Sequence, residues 1–461
     1  MRESSVALGR FGLGGIEGEA PPAEPRRWLL DQFEKFDPRP AAVKALPNSA
    51  KLVTMFREAR DDQRDYKAEQ ERLKGTPEAD MLPRPYRGLR DEYLAASSVR
   101  TGLALASSTP FLERMVHFWA NHFAISIDKL VTLGLAGPFE FEAIRPNVLG
   151  KFADLLLAVE RHPGMLLYLD QAQSIGPDSP LGQIASRRGN QRGLNENLAR
   201  EVLELHTLGV RTGYSQGDVT ELARALTGWT VGGIAKQPKL RGPGPGFWFA
   251  GVVHQPGERV VLCKRYPAAG EKQGEAILRD VATHPSTARH IATKLARHFG
   301  GDEPPPTLVA RLEKVFLSSG GDLPTLYRAL IEAPEPWIGP AKFRSPWDWT
   351  IGALRAVGAT GLPGLINANT FKQLGQPTWQ PGSPAGWDDK AASWAGPDAL
   401  FRRVEVAERI ASRTAPLDAR ALAEQLFPGA LSEASRKALA NAESPVQALA
   451  LLLAAPEMMR R

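Results

Sequence analysis

Glu196, Glu201 and Glu204 fall in one short stretch, 195–209, together with Asn195, Arg200 and His206. Carboxylates a turn apart on a helix can hold a divalent cation, orient a cationic group, or divide the roles of general acid and general base. At about 100° per residue, Glu196, Asn197, Arg200, Glu201 and Glu204 share an arc of roughly 140°. Leu198, Ala199, Val202, Leu203, Leu205 and His206 fill the other side. The polar arc fits a solvated face equally well, with Glu196–Arg200 and Arg200–Glu204 pairing at i,i+4. Glu204 is central and protected from fraying. Glu196 suits the positive end of the helix dipole, and Glu201 lies nearest the apolar side, where burial raises a carboxyl pKa.

Asn121 and His122 close the most aromatic helix of the chain, 111–123. His117 and His122 are five apart, face different ways and so do not share a ligand. This helix and the 195–209 helix both carry polar groups in apolar surroundings. Buried polar groups need partners, so the two helices are expected to touch. The expected catalytic residues are therefore Glu201, Glu204 and His122. The expected binding residues are Asn121, Asn195, Glu196, Arg200 and Asp218. A divalent metal is the candidate cofactor, without an assigned ligand set, because Glu-x-x-His and two-histidine-one-carboxylate spacings are missing. His206-Thr-Leu-Gly209 resembles the proximal histidine block of plant-type peroxidases and so points weakly to haem. The distal counterpart fails, since Arg114 and His117 are three apart rather than four.

These residues need elements to position them. Asn195 as N-cap and Gly209 as terminator bound the 195–209 helix. Thr109-Pro110 opens 111–123. Ser215 and Asp218 have the spacing of a capping box at the start of 215–229, whose packing face is Leu222, Ala225, Leu226 and Trp229. Between 173 and 193 the chain reads as a Gly/Ser/Pro loop with Arg187, Arg188 and Arg192 near its end, a candidate lid or anion-binding edge. At 230–266 glycine and proline rise and short strands appear, with His254 in a turn region. His290, Lys294, Arg297 and His298 give the 284–299 helix a basic side. The irregular Trp/Pro/Gly loop at 361–397 is either functional or pinned against the body. The nearly all-charged 57–74 segment predicts a solvated helix within a peripheral 50–90 insertion. The glycine-rich 9–15 stretch lacks Gly-Lys-Ser/Thr and reads as a close-packing turn rather than a phosphate loop.

The chain has 461 residues, 43% hydrophobic and 23% charged, ample for a large core. The predicted class is mainly α: a large multi-helix single unit, 1–461, with a small β-hairpin-like excursion around 230–266. A net charge of +6 and a pI near 9.3 are mild for this length and do not point to nucleic acid. Cys263 is the sole cysteine, which excludes an intrachain disulfide and a cysteine-rich zinc site. The first residues carry no sustained apolar run, so a cytoplasmic location is expected, with the periplasm as the alternative. The apolar run at 448–455 is too short to span a bilayer.

Taken together, the chain resembles a bacterial family, the domain of unknown function numbered 1800. The resemblance rests on Arg10-Phe-Gly-Leu-Gly14, Phe118-Trp-Ala-Asn-His-Phe123 and the Asn195 to Gly209 block. It continues in Asp218-Val, Leu226-Thr-Gly-Trp229, His284-Pro-Ser-Thr-Ala288 and Ser383-Pro-Ala-Gly-Trp387, nearly the whole chain. Gln255 stands where the pattern usually has aspartate, and Cys263 where it has glycine. The resemblance implies a mostly helical protein, often encoded beside a sulfatase-like protein, and brings no reaction with it. Two classes of function follow: an enzyme built on the carboxylate and histidine set, or a non-catalytic assembly or export partner of the sulfatase-like neighbour. In the second case the charged 57–74 helix and the 361–397 loop would be its docking surfaces.

Overall fold

In the computed structural model, which describes residues 2–82, 84–188, 193–235, 240–360 and 368–461, helices hold 62% of the chain. Among the described residues the strands form two small antiparallel two-stranded sheets, so the fold is mainly α with a hairpin-like excursion. Apolar spacing explains the layout. On the Pro110–His122 helix, Phe111, Leu112, Met115, Val116 and Trp119 are all fully buried. Phe111 meets Phe11 and Phe299, each with ring centroids 6.1 Å away. Each such side chain contributes about 1.5–3 kcal/mol on burial, far more than helix propensity does. Around this helix pack Phe152–Arg161, Pro285–Gly300, Pro306–Ser318 and Leu323–Glu332. A second apolar cluster is built from Pro346–Ala356, Pro397–Arg413, Ala419–Leu426 and Pro445–Leu453.

The glycine-rich 9–15 stretch is a close-packing turn. Gly14 has φ +106°, and a Cβ there would lie 3.1 Å from the Gly352 Cα. Gly12 O accepts from Arg114 Nε at 2.8 Å, and Arg10 Nη2 donates to Pro340 O at 2.6 Å. The Ser49–Arg72 helix buries Leu52 and Val53 and leaves most of its charged length exposed. Arg60 is an exception, donating to Ile234 O at 2.7 Å and so anchoring the helix to the excursion. Among the described residues, no helix is long and apolar enough to cross a membrane.

Three expected boundaries move. Residues 180–187, read above as loop, form the Pro180–Arg187 helix. The Ser179 hydroxyl accepts from Gly182 N at 3.1 Å and Pro180 sits at the first helical position, so a Ser-Pro start outweighs a loop-like composition. Arg187 then ends that helix, and Arg192 lies outside the described residues, as does 361–367 of the irregular loop. The 195–209 helix is also shorter than its periodicity implies. It is α-helical over Asn197–Glu201, widens to a π-helix over Val202–His206 and stops there. The third is at 215–229, where the helix spans Gln216–Leu226 and Trp229 instead opens the excursion: Trp229–Gly232 pairs with Gly246–Phe249, and Arg259–Val261 with Lys264–Tyr266. His254 lies between these hairpins and its Nδ1 is 2.8 Å from Thr227 O.

Leu262 and Cys263 form the two-residue turn of the second hairpin, with φ of +48° and +61°. Both values belong to the left-handed region that such tight hairpin turns require, where glycine is unstrained and a side chain costs about 1 kcal/mol. The Cys263 side chain is exposed, so nothing in the packing requires it. Cys263→Gly is expected to raise stability by about 0.5–1 kcal/mol, read as a rise in Tm; an unchanged or lower Tm would show that the turn carries no strain.

Candidate functional site

The sequence-predicted residues separate into two groups. Glu196, not the expected Asn195, is the N-cap of the Asn197–Glu201 helix and makes no side-chain capping bond; Asn195 sits one residue earlier, where its Oδ1 accepts from Asn197 N at 2.9 Å. Glu196 accepts from Thr220 Oγ1 at 2.7 Å and Gln216 Nε2 at 2.8 Å, which ties this helix to Gln216–Leu226. Arg200 lies between Glu196 at 3.3 Å and Glu204 at 3.5 Å. Glu201 is half-buried, and burial pushes its carboxyl above the ordinary value against the influence of His206. Asp218 completes the capping box with Ser215 and also accepts from Leu262 N at 2.7 Å, so it fixes the hairpin turn as well.

His122 and Asn121 belong to the second group. The two helices meet as expected, but His122 bonds to the main chain of its neighbour. His122 Nε2 is 3.1 Å from His206 O, and His290 Nε2 is 3.2 Å from Leu205 O. These carbonyls lie in the last turn of a helix, where no intrahelical donor remains. A carbonyl can only accept, so each histidine carries its proton on Nε2. Burial holds His122 well below the ordinary histidine value, with the Lys294 charge adding to it, so the ring is neutral and its Nδ1 keeps a lone pair. That Nδ1 has no hydrogen-bond partner among the described residues. His206, wholly buried, bonds the Glu160 carboxylate through Nδ1 at 2.7 Å.

Asn121 and His122 line a cavity of about 350 Å³ that the carboxylate-bearing helix does not reach. Its walls come from Arg87–Ala106, Pro110–His122, Pro285–Gly300 and Pro346–Ala356, and the 376–389 segment closes it. Asn121 holds that segment in place. Its Nδ2 donates to Trp387 O at 2.8 Å and its Oδ1 accepts from Trp387 N at 2.7 Å. Gly386 must be glycine-sized there, because a Cβ would come within 2.2 Å of Asn121 O. The motifs around Asn121 and Trp387 are thus one contact.

Charge defines this cavity. Asp348 is bound by Arg114 at 3.1 Å and Arg461 at 3.2 Å. Burial raises its pKa, but Arg114 and Arg461 outweigh burial and hold the carboxyl far below the usual range. Asp389 behaves alike, with His298 Nδ1 at 2.9 Å and Lys342 at 3.5 Å overcoming burial. Arg100 lies with both Glu140 oxygens 2.9 Å from its Nε and its guanidinium 4.1 Å from the Trp347 ring centroid. Two cations differ. Lys294 and Arg297 line the cavity, yet among the described residues neither has a carboxylate partner; Arg297 donates only to Asp302 O at 3.3 Å. Burial lowers Lys294 to about 8 and His298 to about 4.

Composition and spacing marked the basic side of the 284–299 helix but did not direct it to a site. Its Lys294, Arg297 and His298 are cavity residues, and its His290 is the carbonyl cap. Asp348, Asp389 and Arg461 carried no local signal, since their partners are far away in sequence; Trp387 stood out only as part of the 361–397 loop and the 383–387 motif. No group of three or more His, Cys, Asp or Glu among the described residues is placed to hold a metal ion. The cavity walls hold cations and paired carboxylates, a set suited to anions instead.

A family model described as protein of unknown function (DUF1800) matches residues 6–460. No curated protein and no solved structure matches the chain.

Two substitutions test the geometry. Asn121→Ala removes both bonds to Trp387 and is expected to cost about 1–3 kcal/mol, with faster amide exchange at Trp387; unchanged exchange there would show that the segment is held by other contacts. Asp348→Asn leaves the Arg114 and Arg461 guanidiniums facing each other without their carboxylate. A loss of about 3–5 kcal/mol in denaturant unfolding is expected, and a loss below 1 kcal/mol would mean that water, not Asp348, compensates them.

Proposed function

We propose that this chain, which belongs to the DUF1800 family of proteins of unknown function and takes no reaction from that membership, binds a small organic anion in the cavity closed by the 376–389 segment. One observation carries the reading: Lys294 and Arg297 stand side by side in the cavity wall without a carboxylate partner among the described residues, while the other cations around it are matched. A desolvated, unmatched cation is costly unless something of opposite charge completes it. Asp389, the acid nearest in influence to Lys294, is already engaged by His298 and Lys342.

The lining sets the ligand class. A carboxylate or sulfate matches the guanidinium fork of Arg297, with Lys294 as a second point of charge. Trp347, Trp379 and Trp387 line the same space and supply apolar area for a planar or ring-shaped body. His122 lines the same cavity as a neutral ring whose Nε2 is committed to the His206 carbonyl and whose Nδ1 is buried, so it enters this reading as wall rather than as acid or base. Glu201 and Glu204 stand outside the cavity wall and enter the proposal only through the helix that His122 caps.

Calorimetric titration with benzoate tests the reading. Binding that weakens with added salt is expected. Lys294→Ala and Arg297→Ala should each weaken it at least about tenfold, corresponding to loss of a charged hydrogen bond of about 1.5–3 kcal/mol. Wild-type affinity in both variants, with the fold intact by circular dichroism, would remove these cations from the site.

A further inference from the structure

We propose that Lys294 is a nucleophile that forms an imine with small carbonyl compounds bearing a carboxylate, such as aldehyde acids and α-keto acids. The proposal rests on the anion-binding reading above and adds a covalent step to it. Three features of the cavity lead there. Lys294 lines a space large enough for a small substrate, and its amine has no hydrogen bond or ion pair among the described residues. A second cation, Arg297, lies one turn along the same helix, and a cation beside an amine, like burial, favours the neutral, nucleophilic form. Burial brings Lys294 to about 8, so a sizeable fraction is free amine near neutral pH, unlike an ordinary surface lysine near 10.4. The third feature is His122, whose ring lines the same wall with its Nε2 committed to the His206 carbonyl and which stays neutral, so it brings no competing charge to the amine.

The step balances without a further reactant. The free amine lone pair attacks the carbonyl carbon, a C–N bond forms, and the carbonyl π pair moves to oxygen. Proton transfer from nitrogen to that oxygen, carried by solvent water, gives the carbinolamine. The C–O bond then breaks, the oxygen leaves as water, and both protons of that water derive from the amine nitrogen. The product is a neutral imine, protonated to the iminium when the cavity supplies a proton. Arg297 holds the carboxylate of the substrate throughout and so selects anionic carbonyl compounds over neutral ones.

The test uses the whole protein with glyoxylate and cyanoborohydride near pH 7.5, read by peptide mass mapping. Carboxymethyl labelling of Lys294 is expected to be on the order of tenfold or more faster than that of any other lysine, because the free amine fraction differs that strongly. Excess benzoate should protect it, and Arg297→Gln should slow labelling by glyoxylate but not reductive alkylation by acetaldehyde. Lys294 labelled no faster than surface lysines, while benzoate still binds, would overturn the imine step and leave the anion site standing. Failure of both benzoate binding and selective labelling would overturn both. Equal preference for acetaldehyde and glyoxylate at Lys294 would overturn the assignment of an anionic substrate.

Discussion

A charge taken out of water must be matched, and this constraint shapes the molecule at its centre. Asp348 and Asp389 are matched by Arg114, Arg461, Lys342 and His298, and each of these residues comes from a different part of the chain. Arg114 also holds the carbonyl of Gly12. The main chains of Lys342 and Arg461 exchange two hydrogen bonds, each 2.7 Å, so the bridge that brings Arg461 to Asp348 is itself paired. The N-terminal turn, the first apolar cluster and the second therefore meet on two carboxylates. Such a network adds little net stability, because desolvation offsets most of its attraction. Its effect is selection: other ways of docking the two clusters would leave a buried charge alone.

The same logic acts on the main chain at Val202–His206. Widening to π-helix and stopping early leaves carbonyls without helical donors, and two histidines from neighbouring helices supply them. Thr207 Oγ1 takes the Val202 carbonyl at 2.6 Å. Such widenings recur near functional sites, since they displace side chains from ordinary helical register. Here the widening places His206 against Glu160 in the dry interior and sets the ring of His122 in the cavity wall.

Much of the fold was legible because it depends on local pattern. Apolar spacing marked the 111–123 helix, the Ser215 and Asp218 spacing marked a real capping box, and the glycines at 9–15 marked a close approach. The Ser179-Pro180 start was equally local and was hidden by the glycine and serine around it. The cavity was legible only in pieces. Asn121 and His122 stood out by position and the basic side of the 284–299 helix by composition, but nothing local says that they share a wall. That knowledge resides in Asp348, Asp389 and Trp387, whose roles exist only once distant segments are adjacent. The π-widening is of the same kind, because the groups that match its freed carbonyls and its His206, namely His122, His290 and Glu160, lie on other helices.

The clamp between Asn121 and Trp387 has a consequence for the order in which the molecule is made. The walls of the cavity are contributed from about residue 100 onward, but its closing segment is 266 positions downstream of Asn121. Contacts so far apart in sequence form late, after the cost of closing a long loop has been met. During synthesis the aromatic Pro110–His122 helix can collapse with its early neighbours while Asn121 still faces water. The cavity therefore comes into being only when residues beyond 387 have emerged, and a nascent chain lacks the complete site in which to hold a ligand.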